Sequence, residues 1–193
     1  MRLFCGIEIP DGIKAGLRAL TEGLKPMAKL SWSPIENLHV TTKFIGEWPE
    51  ERIEEMKRVL GRVRGPGAIE IGVRGLGWFP NERNPRVLWA GIEAGEELSG
   101  LARDTDRGVA ELGMAAEAGT GRSSVVPANP PIEREFHPHL TLARRRDPIP
   151  IERLRKEVAR KASSDFGSFR AESFFLYLSK SGRYKKLGEF PLL

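Results

Sequence analysis

Several residue types are scarce in these 193 residues, which hold one cysteine, two tyrosines, three histidines and six threonines. A lone Cys5 excludes an intrachain disulfide and suits a reducing compartment. Its place in the alternation Leu3, Cys5, Ile7, Ile9 points it into a core, where thiols are inert. No stretch approaches the run of about 18 apolar residues that a membrane helix needs. The start, Met1-Arg2-Leu3-Phe4-Cys5-Gly6-Ile7, has neither the apolar run nor the cleavage site of a signal peptide. The expectation is a soluble, cytoplasmic protein with no membrane association. Zinc sites generally take three or four N, S or O ligands, and His137-Pro138-His139 supplies two at most. No metal site is expected. No Gly-x-x-x-x-Gly-Lys-Ser/Thr loop is present for a nucleotide cofactor, and none is expected.

What is present is ample apolar residue, 40%, for a packed core, and 31 basic against 26 acidic residues, a net charge of +5. That balance favours an anionic partner. The excess is too small for a long duplex-binding stripe, so a short anionic ligand fits better. Alternation marks strands over 2–9, 38–45, 69–77, 86–92, 140–143, 174–178 and 184–190. Helical spacing joins Ile13, Leu17, Leu20 and Leu24, then Ile53, Met56, Leu60 and Val63 behind Pro49. Two more helices run through Leu98, Leu101, Val109 and Leu112, and through Ile151, Leu154 and Val158. Each half thus reads as strand, helix, strand, helix, strand. The expectation is one bilobal domain over 1–193, with lobes of roughly 1–92 and 93–193. Residues 115–135, rich in Gly, Ser and Pro, break the pattern and are expected to form a mobile surface insertion, with a lid as the other possibility.

Two of the three histidines are followed, at the second position, by threonine: His39-Val40-Thr41 and His139-Leu140-Thr141. With threonine this rare, chance gives two such hits at roughly three in a thousand, so the pair is a signal. Residues two apart in a strand share a face, so His39 sides with Thr41 and His139 with Thr141. If the halves pack face to face, both pairs line one cleft. Two imidazoles would flank a small anion, one as base and one as acid. In-line displacement at phosphorus needs them on opposite sides. Threonine hydroxyls can hold the non-bridging oxygens. Lys43, by alternation on the face of His39, and Arg144 are candidate cations for the phosphate.

The chain resembles the two-histidine (2H) phosphoesterase superfamily, in the branch of RNA 2′,3′-cyclic phosphodiesterases historically called 2′-5′ RNA ligases. The likeness rests on both His-x-Thr motifs. It extends over Arg2-Leu3-Phe4, Trp32 to Glu47, Phe79-Pro80 with Pro85 to Trp89, Pro138 to Arg144, and Tyr184 to Leu192. It implies an α+β, bilobal fold of two pseudo-symmetric strand–helix repeats around a central cleft. It also implies hydrolysis of a terminal 2′,3′-cyclic phosphate to a 2′-phosphate. By that resemblance His39 is the proton donor and His139 the proton acceptor, while Thr41, Thr141 and Arg144 bind the phosphate. The implied substrates are RNA ends or small cyclic nucleotides, with no obligate protein partner and a monomer by default. Thr42 stands where the family more often has leucine, and 115–135 is longer than usual. Ligation or cleavage of 2′-5′ linkages, and a catalytically idle nucleotide-binding module, are the alternatives.

Overall fold

The structure, a computed structural model, describes residues 1–63, 65, 67–120 and 136–192, with the side chains of 113–120 left aside. Nine strands and four α-helices alternate along it. The strands are β1 (Arg2–Glu8), β2 (Ser31–Trp32), β3 (His39–Glu47), β4 (Ile69–Phe79), β5 (Val87–Ala94), β6 (His139–Arg144), β7 (Asp165–Ala171), β8 (Ser173–Lys180) and β9 (Arg183–Pro191). The helices are α1 (Asp11–Leu24), α2 (Ile53–Leu60), α3 (Glu96–Thr120) and α4 (Glu152–Arg160). They form two antiparallel sheets, one ordered β3-β1-β8-β9 and the other β2-β6-β5-β4-β7. This is the α+β class that the resemblance implied, here built on two sheets.

The sheets do not divide at residue 92. The first takes β1 and β3 from one end of the chain and β8 and β9 from the other. The second takes β4 and β5 from the first half and β6 and β7 from the second. The reason lies in pairing: β1 is flanked on both edges, by β3 and by β8, so the C-terminal hairpin must return to the N-terminal strand. Accordingly β1 is buried along Leu3–Ile7 without a break. Leu3, Cys5, Ile7 and Ile9 enter the main core, while Phe4 turns the other way and packs with Phe175 and Tyr177. Burial raises the Cys5 thiol pKa far above its ordinary value.

Helix α1 buries Ile13, Leu17, Thr21 and Leu24, one stripe at the spacing its sequence sets. Helix α3 packs against α2 and β3. It runs to Thr120, so 115–120 continues a helix where a loop was expected. The rest of the expected insertion, 121–135, lies outside the described residues. No helix among the described residues is long and apolar enough to cross a membrane.

Neither ladder is regular where the His-x-Thr motifs lie. Gly6 pairs with Thr41 and Cys5 with Lys43, so Thr42 is an extra residue in β3. Trp89 pairs with Thr141 and Leu88 with Ala143, so Leu142 is the extra residue in β6. These are β-bulges at equivalent places in the two sheets, and a bulge turns two successive residues to one face. Both extra residues go inward: Thr42 is 6% exposed and Leu142 1%. The Thr42 hydroxyl has no hydrogen-bond partner there. An unpaired buried hydroxyl costs about 1–3 kcal/mol by mutational measure. Thr42→Val, of nearly the same shape, is therefore expected to raise the melting temperature by about 2–4 °C, the equivalent of about 1 kcal/mol in a chain of this size. Turnover should be retained. An unchanged or lower melting temperature would show that the hydroxyl is satisfied in solution.

Candidate active site

The two bulges decide which side chains reach the space between the sheets. Beyond the extra residue the alternation resumes one position late, so β3 presents His39, Thr41 and Phe44, and β6 presents His139, Thr141 and Arg144. All six line one cleft of about 600 Å³, together with Arg2, Phe4, Trp32, Asn37, Arg146 and Tyr184. Lys43 does not. It pairs with Cys5 in the ladder, lies on the helix side and makes an ion pair with Asp106 of α3. The strict alternation that put Lys43 beside His39 fails at Thr42.

Each histidine is held in the same way. His39 Nδ1–H donates to the Asn37 carbonyl at 2.7 Å, and His139 Nδ1–H donates to the His137 carbonyl at 2.8 Å. A carbonyl can only accept, so each neutral ring carries its proton on Nδ1 and keeps Nε2 as the nitrogen that can take or give one. Burial lowers the pKa of His39 below its ordinary 6.5; the hydrogen bond to Asn37 opposes this, and the charge of His139 adds to it. Burial also lowers that of His139, against its hydrogen bond to His137, with Arg144 and then His137 contributing further. Both rings are thus biased towards neutrality in the free protein.

Aromatic rings wall the site, and only the lettering of the resemblance had hinted at them. Phe4 stacks on His39 with centroids 4.5 Å apart, and Tyr184 meets the same imidazole edge-on at 5.3 Å. Phe79 meets His139 edge-on at 4.9 Å. Phe4 and Tyr184 pack against each other at 4.9 Å. Gly6 makes the His39 arrangement possible. A Cβ there would stand 2.8 Å from the Val40 carbonyl oxygen and 3.2 Å from His39 Cδ2. On the other sheet, a side chain at Gly77 would run into the Trp89 ring, which lies 5.4 Å from Phe79. Phe44, 63% exposed, and Tyr184, 38%, are the exposed large hydrophobics among the described residues, and both line this cleft. No alternation argument could have singled out Phe44, because the bulge that turns it inward is not written in the hydrophobic pattern.

Two His-x-Thr pairs on separate antiparallel sheets, set across one cleft, define a two-histidine phosphoesterase. Residues 7–89 match the model of the family described as LigT like phosphoesterase. A relative from Archaeoglobus fulgidus, named RNA 2′,3′-cyclic phosphodiesterase, is 30% identical over 98% of this chain and 99% of its own length. A crystal structure from Thermus thermophilus is 33% identical and superposes with a TM-score of 0.75, covering 100% of this chain and 98% of that one. The crystal structure of Escherichia coli LigT complexed with 3′-AMP is 25% identical, with a TM-score of 0.69 over 99% of this chain and 97% of that one. The chain belongs to the LigT-like phosphoesterase family.

The lowered histidines carry a linkage consequence. Between the folded and unfolded pKa values the unfolded chain binds more protons, so stability falls as pH drops through about 6.5. An anion between the rings favours their charged forms and reverses the bias. Sulfate, which does not titrate in this range, should therefore raise the melting temperature more at about pH 5.5 than at about pH 7.5. The comparison is chloride at matched ionic strength, and the double variant His39→Gln, His139→Gln should lose the difference. Equal stabilisation at both pH values would disconnect the histidines from anion binding.

Proposed function

We propose that the chain hydrolyses the 2′,3′-cyclic phosphate at an RNA end to a 2′-phosphomonoester. The observation that carries this is the pair of imidazoles in one cleft, each anchored through Nδ1 and offering Nε2. The relative's name supplies the substrate class, and the 3′-AMP held by the related structure fits a nucleotide-sized cleft. Water attacks phosphorus opposite the 3′-oxygen, and its proton passes to His139 Nε2. The bond from phosphorus to the 3′-oxygen breaks, and that oxygen takes the proton of His39, leaving a 3′-hydroxyl and a 2′-phosphate. Thr41, Thr141 and Arg144 hold the non-bridging oxygens, where charge accumulates. The cation beside His139 supports its role as base, because Arg144 favours the neutral ring. His39 has no such fixed cation among the causes of its shift, and it gains its proton once the phosphate anion is bound. One bilobal unit, each lobe built on one sheet, carries the reaction in the cytoplasm, where a single buried Cys5 is at home.

Replacing either histidine by alanine is expected to cost about 10²–10⁴-fold in turnover, with the melting temperature nearly kept. The roles separate with a nitrophenyl phosphodiester, whose leaving group needs no proton. His39→Ala should recover most of its loss on that substrate and His139→Ala should not. Rescue of His139→Ala instead would reverse the assignment. Activity should also survive EDTA, since the acid and base are both side chains; loss on chelation with recovery on added zinc or manganese would overturn this mechanism.

The same assignment sets a pH profile. kcat/KM reports the free enzyme, so its bell should centre below about 6.5, with limbs that belong to the coupled pair. A centre well above that value would contradict the burial of the two rings.

A further inference from the structure

The cleft carries more positive charge than one phosphate requires. Arg2, Arg144 and Arg146 all line it, and no Asp or Glu is among the described residues that do. None of the three guanidiniums makes an ion pair or a side-chain hydrogen bond among the described residues. Glu47, opposite Arg2 in the ladder, faces the N-terminal ammonium at 3.6 Å instead. Arg145, between the other two, points away and donates to the Ile149 carbonyl at 2.8 Å. All three are exposed, so solvent satisfies them in the free chain and leaves them available to an anionic ligand in the cleft.

Position separates the three. Arg144 follows His139 and Thr141 on β6, directly beyond the bulge. Arg146 lies two residues further on. Arg2 stands two residues beyond Phe4, on the far side of that ring from Gly6 and His39 along β1. Phe44 pairs with Phe4 in the ladder and offers its exposed ring between Thr41 and that end of the strand. A cationic groove with an aromatic platform is the arrangement that holds single-stranded nucleic acid: guanidiniums take the phosphates and rings take the base faces.

Granted the cyclic-phosphate reading above, we infer that Arg2 and Arg146 bind the phosphodiester one nucleotide upstream of the cyclic phosphate. Phe44 stacks on a base between the two phosphates. The substrate is then an oligonucleotide end, and a nucleoside 2′,3′-cyclic phosphate is a poor one because it lacks the second phosphate.

The test compares kcat/KM for a nucleoside 2′,3′-cyclic phosphate with that for a dinucleotide ending in the same group. The wild-type chain should prefer the dinucleotide by about tenfold or more, a factor worth about 1.4 kcal/mol. The double variant Arg2→Gln, Arg146→Gln should lose about tenfold more on the dinucleotide than on the nucleoside. For the dinucleotide, its slope of log kcat/KM against log salt should be shallower by about 0.7. Arg2→Lys with Arg146→Lys should restore part of the preference, since the charge remains. Equal wild-type rates on the two substrates, or equal losses on both in a variant that melts normally, would overturn the inference and leave the phosphodiesterase reading standing. Turnover of neither substrate by the wild-type chain would remove that reading and the inference with it.

Discussion

Because the β1–β3 ladder skips Thr42 and the β5–β6 ladder skips Leu142, the fifth position after each histidine faces the cleft in place of the fourth. In unbroken strands the cleft would receive Lys43 and Ala143. It receives Phe44 and Arg144 instead. The two side-chain sets differ in chemistry, not in number: the bulges remove a cation from the His39 side and supply one to the His139 side. They also put two consecutive residues of each strand on the inner face, where Leu142 and Ala143 fill the core under one sheet. Under the other, Thr42 is buried and Lys43 reaches Asp106 on α3. The bulges at Thr42 and Leu142 therefore shape the cleft and, at Lys43, tie β3 to the helix behind it.

The equivalence of the two half-sites ends at that fifth position, and this is where two identical imidazoles acquire different surroundings. Both have the same backbone acceptor at the same spacing, and both are lowered first by burial. Beside His139 stands a permanent cation, which opposes protonation of the ring by direct repulsion. Around His39 stand Phe4 and Tyr184, which exclude water without adding charge. A ring lowered mainly by desolvation regains its proton when an anion arrives, since the anion supplies what solvent no longer does. A ring beside guanidinium shares that anion with a stronger competitor. In the proposed mechanism this difference, and not any difference between the motifs themselves, is what separates acid from base.

Much of this was legible in the residues. Strand and helix periodicity marked seven of the strands and all four helices, and the repeated His-x-Thr spacing marked four residues that line the cleft. Two strands escaped. β2 is two residues long, and β7 is an edge strand whose Asp-Phe-Gly-Ser-Phe-Arg-Ala has exposed residues on both faces, so no alternation survives. Strand pairing was not legible either, since periodicity describes each strand alone while the pairing of β1 with β8 is a contact across nearly the whole chain. Lys43 and Phe44 exchanged faces for a different reason. A bulge conserves the local hydrophobic pattern on its own side of the break and shifts it by one on the other. The run Val40 to Phe44 reads equally well as regular alternation of Val40, Thr42 and Phe44 or as alternation with one residue inserted.

Asn37 shows how the two ends of the chain are made to serve one ring. Its carbonyl accepts from His39 Nδ1, which sets the tautomer and the plane of the imidazole. Its side-chain amide donates to the Gly182 carbonyl at 2.7 Å, in the turn between β8 and β9. That turn places Ser181 at φ 50° and Gly182 at φ 75°, a tight left-handed pair that fixes where β9 begins. Tyr184 follows two residues later and lies edge-on to His39. A shift of the hairpin would therefore move the aromatic wall and the acceptor of the imidazole proton together, since one residue holds both. The orientation of His39 thus depends on a contact spanning 145 residues of sequence, as well as on the strand that carries it. Burying an imidazole among rings lowers its affinity for a proton whatever its orientation. Only the anchored Nδ1 ensures that the proton it does take sits on Nε2, the nitrogen that the proposed mechanism uses.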